Sequence, residues 1–570
     1  MQGRQICALP AALQRQVDHA IEEWRRAGTV ERLWARDAAL WTGGAEARWL
    51  GWLDIAGKAH GAALQRFADE IDEDGFAHIL LLGMGGSSLG PAVIAATLGA
   101  GHGRRPLTVL DATDPAQIRA AERLGDPGCT LHIVSSKSGT TLETDMLMRH
   151  FFARAERALG ERKAGAQFIA ITDPGSSLED EARRRFFRRV FLGVPSIGGR
   201  YSVLSDFGLV PAAAMGLDAA RLAEGGDAMA RACALPADNP GVTLGLVLGL
   251  AAQAGRDKAT ILASPGLVAF GAWLEQLLAE STGKNGRGIV PVDGEPWGAP
   301  EAYGQDRLFV ALRLATDPDD GLDARLDALA RAGHPVVRIE IADPYAIGGE
   351  FFRWEIATAV AGSVLGIDPF DQPDVEASKA KTRDLIAAFE RAGSLPEERP
   401  LLEERGLALF ADPRNEAALP KEAGERSLVA WLGAHFARLC AGDYCAFLAF
   451  IERSPDHVAA LRDIRAMVRD ATRAATCVGF GPGFLHSTGQ VHKGGPNSGV
   501  FLQITANAGP DLPVPGHACG FGVVTAAQAR GDFAVLAERG RRALRVHLGA
   551  DVAAGLATLG DAIRQSLAKA

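Results

Sequence analysis

Short apolar runs that end in turn residues recur along this chain, and helical stretches separate them. HILLLG (78–83), LTVLDAT (107–113), TLHIVSSK (130–137), QFIAITDP (167–174) and RVFLGVP (189–195) form one series. ATILAS (259–264), RLFVALRLA (307–315) and PVVRIEIA (335–342) form a second. Short continuous apolar runs suit strands buried on both faces. Helical patterns between them, such as LETDMLMRHFFARAERAL (142–159), recur about every 25–35 residues and predict parallel sheets covered by helices.

With 570 residues the chain is too long for one hydrophobic core, so several units are expected. Residues 1–50 read as a helical segment containing Trp24, Trp34 and Trp41. Residues 51–215 and 216–390 read as two α/β units, with an Ala- and Leu-rich helical stretch at 212–255. The polar, Pro-containing AGSLPEERPLLEERG (392–406) predicts a linker over 391–425, followed by an extra C-terminal α/β domain over 426–570.

A net charge of −9 argues against nucleic-acid partners and anionic membranes. No apolar run approaches the roughly 18 residues of a membrane span. The N-terminal residues also lack the apolar stretch of a signal peptide. Seven cysteines, scattered singly without CxxC spacing, suit reduced thiols in a cytoplasm and not a disulfide framework or zinc site. The histidines show no HxH or HxxxH spacing, so no metal and no cofactor is expected.

Two strand-to-helix turns carry the chemistry. The first, GMGGSSLGP (83–91), places Ser88 where a dinucleotide fingerprint would have its third glycine. The second, SSKSGTTLET (135–144), is dense in hydroxyls. Ser and Thr at a helix N-terminus add donors to the unpaired backbone N–H groups, and Gly139 lets the backbone come close. Ordinary N-capping explains one or two such hydroxyls, but this density predicts a phosphate seat. Two such turns in one sheet suit a phosphorylated sugar.

GMGGSSLGP, SSKSGTTLET, GGRYSVLSDFG (198–208), QLLAESTGKNGRG (276–288) and FDQPDVEASK (370–379) occur in this order, and together they resemble the phosphoglucose isomerase family. The resemblance spans about residues 50–385 and implies two sugar-isomerase (SIS) α/β domains. DAALWTG and WLGWL near the N-terminus, and FLHSTGQVHKGGPNSGVFLQI near the C-terminus, resemble the isomerase half of transaldolase–phosphoglucose isomerase fusions. Met1 falls about where that half would begin, so the transaldolase half is expected to be absent. Association with a separate transaldolase stays open, as does a homodimer.

The reaction implied interconverts glucose 6-phosphate and fructose 6-phosphate through a cis-enediolate. Glu280, in AESTGK, matches the base that moves the proton between C2 and C1. Arg200, in GGRYS, matches the cation beside the developing oxyanion. Lys379 matches the lysine near the ring oxygen, and Gln276 and Gln372 match substrate contacts. Gly86, Ser87, Ser136, Lys137, Ser138, Thr140 and Thr141 are the phosphate-binding candidates. Taken singly, Glu280 and Lys379 read as helix-surface residues and Arg200 as a structural ion-pair partner; the motifs reverse that.

One departure stands out. Asp306, in AYGQDRLFV (302–310), occupies the place of the family's ring-opening histidine. A carboxylate is a poorer proton donor near neutrality than an imidazole. His486 and His492, in HSTGQVHKGG, are therefore candidates to take over ring opening, and His334 is a weaker one. Three rival readings fit the same residues: a sugar-phosphate sensor without chemistry, a nucleotide-dependent dehydrogenase built on GMGGSSLG, and an isomerase that also accepts mannose 6-phosphate.

Overall fold

The computed structural model describes residues 4–55, 61–99, 101, 103–317, 319–423 and 426–568. They form three sheets. Strand β1 (Gln5–Ala8) opens the chain. Strands β2 (His78–Gly83), β3 (Leu107–Leu110), β4 (Thr130–Ser135), β5 (Phe168–Thr172) and β6 (Arg189–Leu192) make a five-stranded sheet in the order β3-β2-β4-β5-β6. All its pairings are parallel, with Leu81 opposite Ile133. Every residue of β4 is buried, as expected for a central parallel strand under two helical layers.

Strands β7 (Lys258–Ala263), β8 (Val290–Val292), β9 (Arg307–Leu314) and β10 (Val336–Ile341) form the second sheet. It is parallel except for β1, which pairs antiparallel along β10. The first 50 residues are thus not purely helical, as the sequence suggested. They begin with an edge strand of the second sheet, whose short QICA run lacks the length that reads as a strand. The helices Pro240–Gln253 and Ile347–Leu365 pack on each other. A Cβ on Gly245 would lie 2.5 Å from the Ala357 carbonyl oxygen, so only glycine permits this approach.

The third sheet holds β11 (Leu402–Glu404), β12 (Leu407–Phe410), β13 (Tyr444–Phe450), β14 (Ala475–Phe480), β15 (Gly499–Thr505) and β16 (Arg542–His547), in the order β11-β12-β16-β15-β13-β14. The stretch expected as a linker over 391–425 supplies β11, β12 and the helix Pro413–Ala423; residues 424–425 lie outside the described residues. Arg405 and Gly406 both have positive φ (54° and 79°) and close β11 onto β12 in a two-residue hairpin. Leu407 and Leu409 then enter the core beneath the third sheet. The polar composition around them masked these two apolar positions.

Among the described residues, no helix is long and apolar enough to cross a membrane.

Candidate active site

The turn after β2 and the turn after β6 touch. A Cβ on Gly86 would collide with the Gly199 carbonyl, so the bare glycine backbone is what lets the two turns meet. That contact fixes Arg200, which is 2 % exposed. Its Nε donates to Ser281 Oγ (2.7 Å), and its Nη1 to Glu280 Oε1 (3.1 Å) and Gln372 Oε1 (3.0 Å). Nη2 donates to the carbonyls of Pro369 (2.7 Å) and Asp371 (2.9 Å). All five guanidinium N–H groups are thus used, which holds the charge in one orientation.

Glu280 sits near the end of the buried helix Phe270–Thr282. One turn earlier, Gln276 donates its Nε2 to Glu280 Oε2 (2.9 Å) and to the His486 carbonyl (2.9 Å). Gln276 Oε1 is buried and has no acceptor-side partner among the described residues. Close by, the Lys284 ammonium meets Asp371 Oδ1 at 2.7 Å and the Asp368 carbonyl. Burial, and then the Arg200 charge, push its pKa down to about 8.

A cavity of about 570 Å³ is joined to this cluster through His486, which lines it and whose carbonyl accepts from Gln276; Arg200, Glu280, Gln276 and Gln372 do not themselves line it. Ser136, Ser138, Thr140 and Thr141 line it, together with Glu143, Lys379 and His486. Gly139 takes φ +71°, which turns the chain into the helix Leu142–Leu159. Thr141 is the N-cap residue but makes no side-chain cap bond; its hydroxyl accepts from Ser136 Oγ at 3.1 Å. Ser138 and Thr140 pair at 3.0 Å. The hydroxyls therefore bond one another at a helix N-terminus and can turn toward an anion.

Lys379 and Arg383 lie one turn apart on the helix Pro373–Ala392 and line the cavity rim. Lys379 forms an exposed ion pair with Glu376 at 2.7 Å. Gln372, the N-cap residue of that helix, enters the cluster through Arg200.

The segment HSTGQVHKGG is wedged between the second and third sheets. A Cβ on Gly283 would collide with the Val491 backbone, and Gln490 bridges the Gly283 carbonyl (2.8 Å) and Asp374 Oδ2 (2.9 Å). This seating turns the two histidines different ways. His486 lines the cavity, with Nε2 3.0 Å from Glu143 Oε1. His492 is buried in the C-terminal unit, with Nδ1 2.9 Å from the Tyr444 hydroxyl and its ring beside Phe501. Burial pushes the His492 pKa down to about 3. Its neighbour Lys493 is equally buried, paired with Asp532 at 2.6 Å.

Several sequence-derived candidates are not at the cavity. Lys137 turns away from the hydroxyls around it and binds Asp173 and the Val194 carbonyl (3.1 Å). Gly86 and Ser87 sit in the turn that docks Arg200, outside the cavity lining. Asp306 lies at the amino-terminal ends of β7 and β9, where its carboxylate meets Lys258 Nζ at 3.4 Å. His334 is buried against Phe309 and Tyr303.

Other residues entered the site without being singled out. Glu143 belongs to the hydroxyl-rich stretch itself, and Lys284 to the AESTGK motif. Gln528 carried no local signal; it donates to Glu143 Oε1 at 2.6 Å from the helix Phe521–Glu538. Among the described residues, no group of three or more His, Cys, Asp or Glu side chains could hold a metal ion.

Fold and geometry define an α/β protein that can seat an anion at a helix N-terminus, beside a buried carboxylate–guanidinium pair. Residues 71–309 match the family model described as phosphoglucose isomerase. The chain is 29 % identical over 377 residues to a glucose-6-phosphate isomerase of Rubrobacter xylanophilus, covering 57 % of this chain and 86 % of the relative. It is 33 % identical to a probable glucose-6-phosphate isomerase of Natronomonas pharaonis, covering 55 % of this chain and 80 % of the relative. A solved glucose-6-phosphate isomerase from Chlamydia trachomatis shares the fold, with a TM-score of 0.51 and 23 % identity over 61 % of this chain and 75 % of that one. The chain belongs to the phosphoglucose isomerase family.

Proposed function

We propose that this chain is a glucose-6-phosphate isomerase that interconverts glucose 6-phosphate and fructose 6-phosphate by proton transfer. The observation that carries this reading is the buried Glu280–Arg200 pair, 3.1 Å apart, beside a cavity whose hydroxyls cluster at a helix N-terminus. Proton transfer between adjacent carbons needs a base within reach of both, a cation near the oxygen that gains charge, and an anchor at the far end of the sugar.

In this reading the 6-phosphate sits on Ser136, Ser138, Thr140, Thr141 and the N–H groups that begin the helix Leu142–Leu159. Glu280 takes the C2 proton and returns it to C1. Arg200 stands beside the enediolate oxygen and acts on it through its charge, which its five bonds hold in one place; to donate a hydrogen bond there, Nη1 would give up Gln372 or Glu280. The open acceptor Gln276 Oε1 suits a sugar hydroxyl. His486, held by Glu143, opens the ring, and Lys379 stands at the rim near it. The ring-opening group then comes from the same chain, so one copy completes the site; a second copy or a transaldolase would be an addition to it. All seven cysteines are free, which supports a reducing, cytoplasmic setting.

The test is an assay of fructose 6-phosphate turnover, coupling glucose 6-phosphate formation to NADP reduction, beside Glu280→Gln. Turnover in the wild type that falls about 10²–10⁴-fold in the variant is the expected result. Saturable sugar-phosphate binding without turnover would overturn the reading in favour of a sensor.

A further inference from the structure

We propose that the C-terminal unit carries a second binding site, for a small metabolite bearing a phosphate monoester, in the cavity outside the carboxyl ends of β13 and β15. The parallel part of the third sheet runs β16-β15-β13-β14. The direction of strand addition therefore reverses between β13 and β15. Open parallel sheets hold ligands at such a reversal, beyond the carboxyl ends of the strands. A cavity of about 540 Å³ lies there, lined by Phe450 and Ile451 at the end of β13 and by Thr505 to Gly509 at the end of β15. It is close in size to the active-site cavity and shares no lining residue with it.

The polar wall of this cavity is rich in donors. Thr505 Oγ1 lies 3.0 Å from His547 Nδ1, and His547 Nε2 lies 3.1 Å from Asn507 Oδ1. Burial and the neighbouring Arg545 charge hold the imidazole pKa below its ordinary value, so the ring is neutral near pH 7. A neutral ring has one N–H, and an amide oxygen only accepts. Nε2 therefore donates to Asn507, and Nδ1 accepts from the Thr505 hydroxyl. This leaves the Asn507 amide NH₂ as a donor.

Arg530 and Arg545 supply the charge. Both guanidiniums meet Glu398 Oε2 at 2.8 Å. Arg545 is 4 % exposed, and Glu398 is the acceptor its guanidinium has among the described residues. Glu398 comes from the coil before β11 and is 34 % exposed. Two cations thus share one carboxylate on a surface segment. A phosphate dianion brings two charges and enough acceptor oxygens for both guanidiniums and Asn507, so it can replace Glu398. Asp114 and Glu452 also line the cavity; Asp114 caps a helix by accepting from the N–H groups of Ala116 (2.8 Å) and Gln117 (3.2 Å), and the phosphate seat is assigned to the two arginines and Asn507, not to the side these carboxylates line.

The helix Phe521–Glu538 separates the two cavities, with Thr525 lining the second and Gln528 the active site. Both side chains bond the Thr113 hydroxyl, at 2.9 Å and 3.0 Å, and Gln528 continues to Glu143. The second site is therefore one hydrogen-bonded chain away from His486.

Calorimetric titration of the full chain with AMP and, in a separate arm, with glucose 6-phosphate tests the proposal. The active site accounts for one hexose phosphate per chain. The second site is expected as one equivalent of AMP, which assigns a nucleotide, or as a second equivalent of hexose phosphate, which assigns a sugar phosphate. Glu398→Gln, on an exposed coil, should tighten that event about threefold or more, and Arg545→Met should weaken it about tenfold or more. If neither arm shows the event, or if Glu398→Gln leaves it unchanged or weaker, the proposal is overturned, whether or not Arg545→Met folds.

Discussion

His486 Nε2 lies 3.0 Å from Glu143 Oε1, across 343 residues of chain. This bond joins the C-terminal unit to the first turn of the helix at the hydroxyl-lined cavity. Burial alone would raise the Glu143 carboxyl. The His486 charge, the hydrogen bond to it and the Lys379 charge outweigh burial and hold the carboxyl below its ordinary range. An anionic, buried Glu143 fixes the imidazole with Nε2–H toward it and leaves Nδ1 for proton exchange.

Glu143→Gln keeps the shape and removes the charge that orients His486. Turnover of the ring form should fall about 10- to 100-fold, with KM within about twofold. Steady-state kinetics with a circular-dichroism check of folding measure this. An unchanged kcat would remove His486 and Glu143 from ring opening.

Arg200→Lys retains a positive charge but not the five-bond fork that positions it. A lysine ammonium has three donors and a flexible stem. The expected outcome is a loss of about 10²–10³ in kcat, with sugar-phosphate binding largely kept, read from kcat and from an independent titration.

Thr141→Val should act on binding alone. The Thr141 hydroxyl makes no cap bond to the helix, so its loss costs the helix little. KM should rise about tenfold while kcat stays within about twofold, the pattern of a contact made equally in ground and transition states.

Acid sensitivity should come partly from buried imidazoles. Burial pushes the pKa of His132, His435 and His492 down to about 3 each. Unfolded, such a ring titrates at 6.5, the ordinary value for each of these histidines. Between these values the unfolded chain binds a proton that the folded chain refuses, so stability is fully present above 6.5 and falls as pH drops toward 3. Each ring contributes a slope of about 1.4 kcal/mol per pH unit in that window. Denaturant melts of wild type and His435→Gln at pH 7 and pH 5 should show the variant's deficit shrinking at the lower pH.

Most of the fold was legible in the sequence. The strands β2 to β7, β9 and β10 match apolar runs bounded by turns, whereas the three-residue β8 matches none. β1, β8, β11 and β12 are short and sit among polar or turn residues, so no apolar run marks them, and β13 and β16 lie in the C-terminal domain, where the sequence indicates α/β without separating the strands. Of the candidate site, Glu280, Arg200 and Gln276 bond one another, and the hydroxyl turn lines the cavity that His486 joins to them. Gln528 could not be found this way, because a glutamine in an apolar helix carries no periodic or turn signal.

Local chemistry decided what the sequence by itself could determine here: parallel α/β sheets from runs and their spacing, and an anion seat from hydroxyls and glycine at a helix start; Glu280 and Arg200 stood out only through the motifs around them. Long-range packing decided the rest. His486 and His492 share one ten-residue stretch, yet the close approach of Gly283 to Val491 sends one to the cavity and the other into a core. Lys137 lies among the hydroxyls in sequence and turns to Asp173 in space. Asp306 stands at the opposite ends of its strands from any such seat. A side chain's direction depends on which distant backbone closes against its own, and no local pattern records that contact.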